Sequence, residues 1–118
     1  MKKLDGSNKL RTAVFISGNG SNLRNLIKFS FLKKSPIKIN LIICNNSKAK
    51  GLRYSKKYKI KKKIFLLKRK ITDENKILKY LKRNNIQLIC LAGFMTILSK
   101  NFIQNFKGKI LNIHPSLL

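Results

Sequence analysis

With 118 residues the chain has room for one domain and one apolar core, and its 43% hydrophobic content in recurring apolar runs argues against a disordered polymer. Its formal net charge of +25 sets 28 basic residues against only Asp5, Asp73 and Glu74, a balance that first suggests a polyanion partner. Yet 23 of the 28 are lysines scattered over every expected polar face, so specific nucleic-acid binding is disfavoured and anionic small substrates are the better fit. No run of about 18 apolar residues exists, so no membrane span is expected. The start, residues 1–6, lacks the apolar core of a secretory signal, which makes the cytoplasm the expected location. Cys44 and Cys90 fall in apolar runs and behave as small hydrophobes, with neither zinc-ligand spacing nor a CxxC pair.

Residues 1–10 are expected to form a polar, mobile lead-in and residues 11–118 a single ordered domain. Residues 11–17 (RTAVFIS) read as a buried strand, followed at once by Gly18-Asn19-Gly20-Ser21-Asn22. Leu23, Leu26, Ile27 and Phe31 then share one face of a helix, with Ser21 or Asn22 as its N-cap. A strand, a glycine turn and a helix N-terminus together offer backbone N–H groups to a phosphate, although the same residues also make an unliganded turn. The GxxxxGK[ST] pattern is absent, which excludes a nucleoside-triphosphatase loop. Leu23 stands where a dinucleotide fingerprint needs its third glycine, and Asn45-Asn46 offer no carboxylate for a ribose diol. A single phosphate remains open.

Pro36 closes the first helical region, and residues 37–44 (IKINLIIC) read as a second strand. Asn45-Asn46-Ser47 is turn chemistry ahead of a second helix over about 48–58, and the basic tract 59–63 is expected to be a solvated loop. Residues 64–67 read as a third strand. Thr72 or Asp73 caps a helix running to about Arg83, with Asp73 and Glu74 in its first turn, where the helix dipole favours acids. Residues 86–92 (IQLICLA) form a fourth strand and Gly93-Phe94-Met95 a turn. Met95, Leu98, Phe102 and Phe106 then mark one helical face, and residues 110–113 form a fifth strand. Alternating strands and helices imply right-handed crossovers and a doubly wound, mainly parallel sheet of about five strands. Ligands of such sheets bind beyond the carboxyl ends of the strands, where the glycine turn, the 93–98 turn and the 112–114 segment all lie.

The closing stretch, Asn112-Ile113-His114-Pro115-Ser116-Leu117-Leu118, holds the only histidine. Residues two apart on an extended segment point to one side, so the Asn112 carboxamide and the His114 imidazole are expected to face one site. An amide donor beside a group that titrates near neutrality suits a reaction that develops an oxyanion and moves a proton. The same residue types also suit a plain strand end.

Three segments, SGNGSNL (17–23), LAGFMTIL (91–98) and NIHPSLL (112–118), together resemble the phosphoribosylglycinamide formyltransferase family, across residues 11–118. The resemblance implies a Rossmann-like formyltransferase fold, truncated at its C-terminal side, and transfer of a formyl group from 10-formyltetrahydrofolate to the amine of glycinamide ribonucleotide in purine synthesis. It implies that Gly20, Ser21 and Asn22 bind the phosphoribosyl substrate. Met95, Thr96, Ile97 and Leu98 would line the folate pocket largely through backbone groups, with Thr96 where the family commonly has arginine. Lys70 is the nearest candidate for a basic residue that touches folate. Asn112 would bond both the folate and the developing oxyanion, and His114 would act as the acid–base group; no metal is implied.

The resemblance also sets an expectation about extent. Relatives carry, downstream, an aspartate that orients the histidine, and the sequence stops before it, so a fragment with little activity of its own is expected. Formyltetrahydrofolate deformylase is similar in fold but usually has a second histidine where Pro115 stands, and an N-terminal regulatory domain besides. Methionyl-tRNA formyltransferase has a different first glycine loop from SGNGSN. A basic nucleic-acid-binding module would need clustered arginines or exposed aromatics, whereas there are five arginines here and the aromatics mostly fit inward faces.

Overall fold

A computed structural model describes residues 8–113. Five strands, β1 (Leu10–Ile16), β2 (Ile37–Cys44), β3 (Lys61–Ile64), β4 (Leu88–Leu91) and β5 (Lys109–Asn112), form one sheet in the order β3-β2-β1-β4-β5. Every pairing is parallel. The crossovers carry α1 (Ser21–Ser30), a 3-10 turn (Lys50–Leu52) leading into α2 (Arg53–Tyr58), α3 (Lys70–Arg83) and α4 (Lys100–Asn105). The parallel doubly wound sheet read from the sequence is the architecture found.

Alternation along β1 divides the core. Val14 and Ile16 face α1 and α2 with Leu23, Leu26, Ile27 and Tyr54, while Ala13 and Phe15 face α3 and α4 with Ile77, Leu81 and Phe102. Phe15 meets the edges of Phe94 and Phe102, with ring centroids 5.3 and 6.4 Å away. In β2, Ile37 and Ile39 lie on the α1 side, and so do Ile42 and Cys44. That is possible because the β1–β2 register slips between Thr12 and Ala13, skipping Asn40. Without the irregularity, the period of two would send Ile42 to the opposite face.

Several elements depart from the sequence reading. Residues 9 and 10 belong to the ordered fold rather than to a lead-in, since Leu10 opens β1 and Lys9 Nζ donates to the Ser30 carbonyl at 2.8 Å; residues 1–7 lie outside the described residues. Most of the tract 59–63 is no loop: Lys61–Ile64 is the edge strand β3, ahead of the expected 64–67. An edge strand has one hydrogen-bonding side free, and lysines there are compatible with pairing to β2 while discouraging pairing with another chain. Lys61 and Lys63 share a face, with their ammonium groups 5.9 and 5.8 Å from the Tyr80 ring.

Helix α1 begins at Ser21, so neither Ser21 nor Asn22 caps it; Gly20 stands at the cap position with φ +79°. The expected 48–58 helix is split, its first part wound as the 3-10 turn. Helix α3 begins at Lys70 rather than after Thr72, because Asp73 Oδ2 accepts from the Arg69 N–H at 3.0 Å and the Asp73 N–H bonds back to the Arg69 carbonyl at 2.8 Å. Glu74 does not sit at the dipole as a solvated acid but is buried. The helical face drawn through Met95 is also corrected: α4 starts only at Lys100, and residues 94–99 form an irregular loop.

Candidate active site

The strand order reverses between β1 and β4, and the carboxyl ends of these strands and of β2 carry a connected set of polar groups. Ser17 follows β1 directly. Its hydroxyl donates to Asn45 Oδ1 at 2.6 Å and accepts the Met95 N–H at 2.7 Å. Asn45 Nδ2 donates to Thr96 Oγ1 at 2.6 Å, and Asn46 Nδ2 donates to the Ser17 carbonyl at 3.3 Å. The loop after β4 is thereby tied to the ends of β1 and β2. On its far side Lys70 Nζ donates to the Ile97 carbonyl, and Glu74 accepts from the Ser99 N–H and hydroxyl at 3.0 and 2.5 Å.

Behind the glycine turn, two backbones meet. A Cβ on Gly20 would lie 2.7 Å from the Gly51 Cα and 3.4 Å from the Tyr54 ring. A Cβ on Gly51 would lie 2.8 Å from Ile16 Cδ1 and 3.0 Å from the Gly18 carbonyl. The Gly51 N–H donates to that carbonyl at 3.0 Å, so the 3-10 turn buttresses the loop. Such an approach, together with the left-handed φ at Gly20, requires glycine. Tyr54 completes the buttress: the Arg53 guanidinium donates to its hydroxyl at 2.9 Å and holds the phenol below its ordinary pKa.

The front of the turn is open. Gly18 and Asn19 are exposed, Ser21 is exposed and Asn22 half-buried. No side chain caps α1, and its first turn carries no acid. The first amide groups of a helix have no intrahelical acceptor, so this terminus presents donors and positive potential. Across the switch point, Met95 and Ile97 are 83% and 84% exposed, Thr96 is half-buried and Leu98 is buried in the α3–α4 core. Asn112, exposed, ends β5 opposite Leu91, and the Ile113 N–H donates to the Leu91 carbonyl at 2.9 Å. His114 lies outside the described residues, as does the rest of the NIHPSLL segment after Ile113.

The fold thus gathers Gly20, Ser21, Asn22, Met95, Thr96 and Asn112 at one end of the sheet, with Lys70 reaching the same loop from α3. Sequence reasoning took Asn45 for turn chemistry only, gave Glu74 only a helix-dipole role, and left Ser17 and Gly51 without roles. A strand-end position next to the glycine turn was the available signal for Ser17. The two thiols lie behind this surface: burial pushes Cys90 up to about 11, and burial also raises Cys44, against hydrogen bonds with the backbone at Asn46 and Asn45. No cluster of three or more metal-ligating side chains occurs among the described residues.

Comparison with known proteins decides the lineage. The sequence profile of the formyl transferase family matches residues 10–118. The chain belongs to this family. Phosphoribosylglycinamide formyltransferase of Haemophilus influenzae is 42% identical over 111 residues, covering 92% of this chain and 52% of the relative. The human trifunctional purine biosynthetic protein adenosine-3 is 41% identical over 113 residues, 93% of this chain and 11% of that protein. Among solved structures, the phosphoribosylglycinamide formyltransferase of Brucella melitensis superposes with a TM-score of 0.84 at 35% identity, covering 91% of this chain and 57% of that one. That of Anaplasma phagocytophilum gives 0.77 at 42% identity, covering 91% and 50%. The chain therefore spans about half the length of the phosphoribosylglycinamide formyltransferases it matches and shares their Rossmann-like sheet. Among the described residues, no helix is long and apolar enough to cross a membrane.

Proposed function

We propose that the chain serves formyl transfer from 10-formyltetrahydrofolate to the amine of glycinamide ribonucleotide, in purine synthesis and in the cytoplasm. The observation that carries this reading is the open, uncapped N-terminus of α1 beside the exposed Met95–Ile97 loop, at the point where strand order reverses. Two chemically different ligands suit these neighbours: an anionic phosphoribosyl group at the amides of Gly20, Ser21 and Asn22, and a flat, largely apolar ring at Met95 to Leu98. Lys70 would meet the folate's own charge. Two free buried thiols, Cys44 and Cys90, suit a reducing compartment.

In the reaction so read, the glycinamide nitrogen attacks the formyl carbon, forming a C–N bond and an oxyanion. Asn112 donates to that oxygen. His114 takes the proton from the attacking nitrogen and gives it to N10 as the old C–N bond breaks, releasing tetrahydrofolate. The test is formyl transfer by the chain followed by the portion of the Haemophilus relative that the match does not cover. Formylated glycinamide ribonucleotide as product supports the reading. Formate released without need of the nucleotide would instead indicate the hydrolase of the same fold, and the absence of both products would sink it.

A further inference from the structure

The loop after β4 has no regular structure, yet it carries two large apolar side chains almost fully into solvent. Phe94 and Leu98 anchor its flanks in the α3–α4 core, but Met95 and Ile97 between them are not covered, so polar ties must fix that stretch. The ties at its leading end close a ring. The Met95 N–H donates to the Ser17 hydroxyl at 2.7 Å, and the Ser17 hydroxyl donates to Asn45 Oδ1 at 2.6 Å. Asn45 Nδ2 then donates to Thr96 Oγ1 at 2.6 Å, and Thr96 is bonded covalently to Met95. Three hydrogen bonds in series polarise one another, and each member loses its orientation if one is removed. Asn45 is the pivot, with both ends of its carboxamide engaged. Ser17 is the residue from which the Gly18–Gly20 turn departs, so the ring joins the two ligand-facing segments.

We infer that Asn45 and Thr96, acting through Ser17, are positioning residues that hold the Met95–Leu98 loop in register with the glycine turn, so that a reduced pterin bound by the loop meets a phosphoribosyl substrate bound by the turn. The proposal rests on the formyl-transfer reading for its ligands. The ring itself does not need it. Thr96 directs its hydroxyl to Asn45 rather than to a ligand, and the Asn45 carboxamide lies between the ends of β1 and β2 with no contact to substrate required of it. Removing either should leave the turn's amides where they are while the loop loosens.

The experiment uses the chain extended, as above, by the uncovered portion of the Haemophilus relative, as parent and with Asn45→Ala, Thr96→Val, the double variant and Thr96→Ser. Tetrahydrofolate and glycinamide ribonucleotide are titrated calorimetrically, and hydrogen exchange is followed at the Met95 amide. Each of Asn45→Ala and Thr96→Val should weaken tetrahydrofolate about fivefold, the scale of one hydrogen bond, and the double variant should be no weaker than the worse single one. Thr96→Ser should restore parental affinity. Glycinamide ribonucleotide should bind all four within about twofold, and exchange at Met95 should quicken in the three disrupting variants. Losses that multiply in the double variant overturn the ring as a unit, and parental tetrahydrofolate affinity in Asn45→Ala overturns the positioning role. Thr96 lies in a loop outside both cores, so its variants keep the test decisive should Asn45→Ala fail to fold. A parent chain that binds no tetrahydrofolate overturns the functional reading itself, a failure distinct from a binding parent matched by its variants.

Discussion

Glu74 and Ser99 are joined by two hydrogen bonds: one carboxylate oxygen accepts the Ser99 N–H at 3.0 Å and the other accepts the Ser99 hydroxyl at 2.5 Å. Ser99 in turn caps α4, its Oγ accepting from the Phe102 N–H at 3.1 Å. Glu74 is 1% exposed, so the acid that stands early in α3 is spent inside the molecule, fixing where the next helix begins. This relay also ends the Met95–Leu98 loop, whose other end is held by Ser17 and Asn45.

Removing Glu74 should therefore cost more than an ordinary helix substitution. Glu74→Ala leaves the Ser99 N–H without its acceptor and loosens the α4 cap, a loss of about 1–3 kcal/mol. Glu74→Gln keeps an acceptor for one of the two bonds and should lose less. Urea unfolding midpoints with unchanged slopes would measure both, and parental stability of Glu74→Ala would refute the relay.

The glycine turn separates packing from ligand approach. At Gly20 a side chain meets the Gly51 backbone at 2.7 Å in a left-handed conformation, so Gly20→Ala should destabilise the fold whatever the turn binds. At Gly18 a Cβ meets nothing within 4 Å. Gly18→Val should accordingly leave the unfolding midpoint nearly unchanged while weakening ribose 5-phosphate about tenfold, by crowding the open face of the turn. Equal calorimetric affinity in Gly18→Val and parent would remove the turn's front from the phosphate site.

The contrast shows what the sequence made legible. Glycine spacing after an apolar run marked the turn, but that Gly20 is needed for Gly51 depends on two segments about thirty residues apart meeting in space. The strands with continuous apolar runs were readable because burial on both faces demands them. Strand β3 was not, since Lys61, Lys62 and Lys63 look like solvent and only the parallel register with Leu41 to Ile43 makes them sheet. Met95, Leu98, Phe102 and Phe106 have helical spacing by coincidence: Leu98 and Phe102 are buried and Met95 is 83% exposed. The gathering of the site residues was legible through the strand-end rule. The Ser17–Asn45–Thr96 ring was not, because hydrogen bonds between distant small polar residues leave no periodic trace.

The buried thiols set an alkaline limit. An unfolded cysteine titrates near 9.0, whereas native Cys90 is pushed up to about 11 by burial, and Cys44 moves the same way. Between those values the unfolded chain gives up a proton that the native state keeps, so stability falls as pH rises from about 9 towards 11 and is unaffected by this group below that window. The measurement is the difference in urea midpoint between the parent and Cys90→Ala at both ends of the window, which cancels what the two proteins share. The gap should change in the variant's favour as pH rises. A gap that stays constant would exclude the thiol's contribution.

The lysines of β3 guard an edge that, among the described residues, pairs with β2 alone. Replacing Lys61, Lys62 and Lys63 by Thr, Val and Thr gives a β-prone edge without the charges that discourage pairing with another chain. The variant should aggregate faster on mild heating, followed by light scattering, while its urea midpoint shifts little. Removing three exposed helix lysines instead, Lys28, Lys56 and Lys79 to Ala, changes net charge equally. That control should not aggregate faster; if it does, net charge rather than the edge is responsible.

The chemistry assigned to the end of β5 gives the last prediction. Asn112 is exposed beside the end of β4, which separates it from β1, so it stands outside both the turn and the loop. A donor there bears on the oxyanion formed in the reaction more than on the ground-state ligands, so Asn112→Ala should lower turnover by about 10²–10³-fold. His114→Ala should lower it by about 10²–10⁴-fold, the range of a general acid–base group. Neither change should move the affinity for glycinamide ribonucleotide more than a few-fold, since the α1 amides belong to a different strand end. Both are to be measured in the extended protein proposed above, with kcat and KM resolved for each substrate. Loss confined to KM would make these residues binding groups, and undiminished turnover in His114→Ala would remove it from the chemistry.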